Sequence, residues 1–71
     1  MTQQTDRAAA IETLADEAWP LRLHGSTTAD AIREAAQDMA DEGNPTTPGE
    51  REKAARIVDA WMAEEEAETD A

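Results

Sequence analysis

At 71 residues the chain has room for one small domain, and 17 Asp and Glu against 6 Lys and Arg give a formal charge of −11. That charge excludes a phosphate backbone as a direct partner, because nucleic-acid affinity rests on basic side chains displacing counterions; it excludes anionic membrane lipid for the same reason. With no cysteine there is no disulfide, thiolate chemistry or Cys-based zinc site, and no apolar run approaches membrane-spanning length.

The first apolar stripe is Ile11, Leu14, Ala15 and Ala18, at i, i+3, i+4 and i+7, and predicts a helix over 6–19. Thr5 or Asp6 can cap its start. Pro20 lacks an N–H and would clash with the carbonyl of Asp16, and it biases Trp19 away from helical geometry. A stop or kink is expected there, then a short connector through Leu21, Leu23 and His24 to Gly25.

The same spacing recurs in Ile32, Ala35, Ala36 and Met39, which predicts a helix over 28–42. Thr27 as N-cap places Asp30 at N3, a capping box with Asp in place of Glu. Gly43 suits the C′ position, and Gly43-Asn44-Pro45-Thr46 reads as a loop. A third stripe, Ala54, Ile57, Val58 and Trp61 with Met62 beside it, predicts a helix over 48–65. Its start is the clearest in the chain: a capping Thr47, Pro48 at N1 and Glu50 at N3. Residues 66–71 hold no apolar anchor, and carboxylates at a helix C-terminus oppose the macrodipole, so a frayed, disordered acidic tail is expected. With residues 1–5 as a flexible N-terminus, the prediction is an all-α chain: a small three-helix bundle with short loops, one domain over 6–65.

The core is thin. Sixteen of the apolar residues are alanine, and Leu, Ile, Val and Phe together number seven, which with this charge falls in the composition range of disordered proteins. At roughly 25 cal/mol per Å² of buried apolar surface, such a core barely offsets chain entropy. Forming a homodimer, or docking on a partner, would bury more. Three matched stripes with caps at their starts nevertheless favour a folded helical chain, since local and global signals agree.

His24 and Ser26 could in principle contribute to a catalytic triad, but no G-x-S-x-G elbow marks Ser26 as a nucleophile, and the plainer roles are a turn residue and a cap. As a metal ligand, His24 lacks a second His at i+3 or i+4. The stretch from Asp38 to Gly49 looks like a calcium loop but has Ala40 at position 3 and Gly49 at position 12, where oxygen ligands are needed. A helix-turn-helix reading of the second and third helices meets a connector longer than the usual tight turn; Arg51, Lys53 and Arg56 sit among acids, with Glu52 to Arg56 a favourable i, i+4 pair. No catalytic, cofactor-binding or metal-binding residue is predicted, and no enzymatic activity. Gly25-Ser26 ahead of an acidic helix resembles the opening of the second helix in acyl carrier proteins. That family's Asp-Ser-Leu signature reads His24-Gly25-Ser26-Thr27 here, and the first connector is much shorter. The resemblance implies an alternative, a carrier domain modified at Ser26.

The second helix carries the candidate partner-binding residues. Asp30, Glu34, Asp38 and Glu42 fall at strict i, i+4 spacing with Asp41 adjacent; like charges so placed destabilise a helix by a few tenths of a kcal/mol per pair. The row rises roughly 6 Å per step and suits a basic groove, in its sharpest form one that normally receives nucleic acid. The plainer reading is a solvated outer face. Trp61 lies on the apolar stripe and reads as core, with a cost of roughly 3 kcal/mol for its replacement by alanine. Trp19 beside Pro20 reads as a cover for the bundle end or an anchor for a partner. The predicted function is a small acidic helical interaction module or regulator that binds a basic protein surface. The further alternative is a structural or assembly-dependent protein, acidic only for solubility. With neither a basic n-region nor an apolar h-region there is no secretory signal to read, so the cytoplasm is the default location.

Overall fold

The computed structural model describes residues 6–69, which form α1 (Ala8–Leu23), α2 (Thr28–Asp41) and α3 (Pro48–Thr69), with no strand among the described residues. Each helix packs on the other two, which makes the chain a three-helix bundle. The predicted residues 1–5, and residues 70–71 of the predicted tail, lie outside the described residues.

All eight apolar residues of the first two stripes are buried, from Ile11 through Met39. Seven of the twelve buried apolar residues are alanine. Small side chains let helix axes approach closely, so this bundle gains contact where it lacks bulk. Leu14, Met39 and Val58 are the large apolar side chains that are fully enclosed. The third stripe divides: Ala54 and Val58 are buried, whereas Ile57 and Trp61 are only partly so. Trp61 is therefore not the enclosed core residue its stripe predicts. It leans on the core from the side, at the seam between α1 and α3.

Both interhelical turns close in the same way. Ser26 N–H donates to Leu21 O and Gly25 N–H to Arg22 O, while Asn44 N–H donates to Met39 O and Gly43 N–H to Ala40 O. These are paired 6→1 and 5→2 bonds that satisfy the last carbonyls, and they need a left-handed residue at C′. Gly25 (φ 107°) and Gly43 (φ 88°) supply it. Helix α1 reaches this turn by running through Pro20, so the expected stop is absent. Pro20 lies on the exposed side near the helix end, so one intrahelical bond is lost where water reaches the freed carbonyl. Trp19 and Leu21 hold the last turn by packing on the core. Helix α3 also outlasts its expected end at 65, continuing through Glu66, Ala67 and Glu68, residues of high to moderate helix propensity.

The start of α1 departs from expectation more instructively. Its N-cap is Arg7, which makes no side-chain cap, and Asp6 is turned instead toward α3. There it accepts from the Thr47 hydroxyl at 3.2 Å and pairs with Lys53 at 2.9 Å. A Cβ on Gly49 would stand 2.8 Å from the Asp6 carboxylate oxygens, so a glycine is what lets this carboxylate sit over the first turn of α3. Glu50 forms the predicted capping box, accepting from Thr47 N–H at 2.9 Å while its own N–H donates to Thr47 Oγ1 at 3.0 Å. It is fully buried and does more than cap. It also accepts from the Arg7 backbone N–H at 2.9 Å, Arg7 Nε at 2.8 Å and Arg7 Nη2 at 3.1 Å. Arg7 in turn donates to Asn44 Oδ1 and to Pro45 O, each at 2.8 Å. One guanidinium and one carboxylate thus join the starts of α1 and α3 to the α2–α3 loop.

Candidate functional site

The five predicted partner-binding residues, Asp30, Glu34, Asp38, Asp41 and Glu42, are all exposed on α2 or its C-cap. The helix turns every one of its buried residues, Ala31, Ile32, Ala35, Ala36 and Met39, to the other side, so the amphipathic pattern places the acids outward. Asp30 pairs with Arg33 at 2.8 Å and accepts no more from it than one hydrogen bond; Asp41 accepts from Gln37 Nε2 at 3.1 Å. The side chains of Glu34, Asp38 and Glu42 make no hydrogen bond or ion pair with any other described residue.

The cations explain why. All 6 basic residues are engaged within the chain. Arg7 holds Glu50, Arg33 holds Asp30, Lys53 holds Asp6 and Arg56 holds Glu52 at 2.9 Å. Arg51 donates to Thr46 O at 2.6 Å, and Arg22 donates to Thr28 Oγ1 at 3.3 Å, whose hydroxyl reaches Asp59 at 2.6 Å. The basic start of α3 is thus internally paired, as the spacing of Glu52 and Arg56 implies. The Arg7 side chain holds the Glu50 carboxyl well below its ordinary value of 4.5, at about 2, with the Arg7 and Thr47 backbone N–H groups assisting and burial opposing. The same bond raises Arg7.

A second acidic surface was not legible as a unit. Trp19 of α1 and Trp61 of α3 meet edge to face, with ring centroids 5.7 Å apart and planes at 83°. They line an open groove of about 780 Å³ with Asp16, Glu64 and Glu68 among its other walls. No local signal joins residues so far apart in sequence; only the parallel packing of α1 on α3, which meet start to start at Arg7 and Glu50, does. Trp61 also borders an apolar hollow with Ile11 and Ile57, so the two recesses share a wall.

His24 is the exposed C-cap of α1, and its backbone N–H donates to Pro20 O. Ser26 lies between the α1 turn and the Thr27 cap, with its carbonyl accepting from Arg22 at 3.4 Å, rather than within α2. The stretch from Asp38 to Gly49 is a helix end, a turn and a capping box. No group of three or more His, Asp or Glu gathers in metal-binding geometry among the described residues, and no helix of these residues is long and apolar enough to cross a membrane. Comparison with protein-family models, with curated proteins and with solved structures finds no match to this chain.

Proposed function

We propose that this chain is a non-enzymatic, cytoplasmic interaction module whose α2 presents a row of carboxylates to a basic surface of another protein, in its sharpest form as a mimic of nucleic acid. The observation that carries this reading is the asymmetry of pairing: every cation is engaged within the chain, while Glu34, Asp38 and Glu42 stand exposed and unpaired on one helix. Like charges at this spacing disfavour an isolated helix. An opposed basic surface turns that repulsion into attraction, accelerates encounter, and makes affinity fall as salt rises.

The test is capture of partners from a native lysate at low and high salt, comparing two doubly substituted chains of equal charge. Glu34→Lys with Asp38→Lys should weaken low-salt capture by roughly tenfold, as expected for losing and reversing a few exposed charges. It should leave the fold intact or stabler by a few tenths of a kcal/mol. Glu17→Lys with Glu66→Lys, remote from the row, should capture as the parent does. Equal capture by both chains would return the row to the status of a solvated face.

A further inference from the structure

We propose that the groove between α1 and α3 seats an arginine-bearing segment of a basic partner, with the guanidinium against the Trp19–Trp61 pair. This site is lined by α1 and α3 alone and does not rest on the α2 row.

Two tryptophans left partly exposed in one recess are an unused binding surface, since a bundle this poor in bulky residues would gain from enclosing them. The charge around them selects the occupant. The side chains of Asp16, exposed on α1, and of Glu64 and Glu68, exposed on α3, make no hydrogen bond or ion pair with another described residue. The cations of the neighbouring hollow, Lys53 and Arg56, are already held by Asp6 and Glu52. Every charged residue that lines the groove itself is acidic. The C-terminal turns of α3 add the negative pole of the helix. A second copy would bring its own Asp16, Glu64 and Glu68 to the same place and be repelled.

Among cations, the guanidinium fits best. It is planar, weakly hydrated and stacks on aromatic faces while its edge N–H groups pair with carboxylates. The hollow of Ile11 and Ile57, on the other side of the Trp61 wall, offers a seat to an apolar residue beside the arginine.

The tryptophans are the chain's whole aromatic content, so their emission reports on this groove and the hollow beside it. The experiment is a fluorescence titration of the full chain with a short alternating Arg/Ala peptide, its Lys/Ala counterpart and its Glu/Ala counterpart, with sedimentation to follow association state. The Arg/Ala peptide should give a saturable change that weakens with salt, the Lys/Ala peptide a weaker one and the Glu/Ala peptide none. Asp16→Asn with Glu64→Gln and Glu68→Gln, all exposed, should weaken Arg/Ala binding by roughly tenfold with the helical circular dichroism unchanged; Asp16→Asn alone serves if it is not. Glu34→Lys with Asp38→Lys should leave the titration within about twofold, screened as the row is by distance. The proposal is overturned by no saturable response, by equal response to arginine and lysine, or by an unaltered response in the neutralised chain. Loss of the response in the α2 variant, or self-association that buries the tryptophans without peptide, would overturn it too. Failure of the α2 row leaves this titration intact, and failure of the groove leaves lysate capture intact.

Discussion

Glu50→Gln is expected to destabilise the domain by about 2–4 kcal/mol, the range for unmaking hydrogen bonds to a buried charged group. The substitution preserves shape, so packing does not explain the loss. Four donors converge on the two carboxylate oxygens: Thr47 N–H, Arg7 N–H, Arg7 Nε and Arg7 Nη2. An amide offers one acceptor and turns two donors on the rest, while removing the charge that Arg7 faces. A domain of this length holds roughly 4–11 kcal/mol in all, so the melting temperature should fall by roughly 10–30 °C. Thermal unfolding at neutral pH checks this; a variant melting within a degree or two of the parent would show the buried pair to be dispensable.

The same residue sets a pH dependence. Its folded pKa of about 2 lies below the ordinary 4.5, so the folded state binds its proton less readily than the unfolded chain does. The contribution is fully present above 4.5 and is lost as pH falls from there toward 2. Protonating the exposed acids relieves self-repulsion over the same range, so the parent's own curve mixes two effects of opposite sign. The difference between parent and Glu50→Gln isolates the first: it should be flat from neutral pH to about 4.5 and shrink below it. A difference that stays constant down to pH 2 would place the Glu50 contribution in geometry rather than ionisation.

Leu14→Ala should cost about 3.5 kcal/mol, the middle of the range for emptying an enclosed leucine site. Leu14 is fully buried at the centre of α1's stripe. Its alanine-rich surroundings have few long side chains with which to collapse into the space. Leu23, 54% exposed, is the control, and its replacement by alanine should stay within about 0.5 kcal/mol. Equal losses at the two positions would mean that the folded chain in solution does not enclose Leu14.

The sequence by itself determined the three stripes, the α2 and α3 caps at Thr27 and Thr47, the C′ glycine at Gly43, and the acids on the outer side of α2. Each of these is decided within a few residues, by helical period or by a side chain bonding a nearby N–H. Where long-range packing competed with a local rule, packing prevailed. Pro20 does not end α1 because Trp19 and Leu21 are held by the other helices, and Asp6 leaves its own helix start for Thr47 and Lys53. Only the tertiary structure decided that Arg7 and Glu50, 43 residues apart, would meet around one buried carboxylate. It likewise decided that Trp61 would face Trp19 and a rim of carboxylates instead of the interior. A periodic stripe says which side of a helix turns inward; it carries no information about which part of that side the neighbouring helices are long enough to cover.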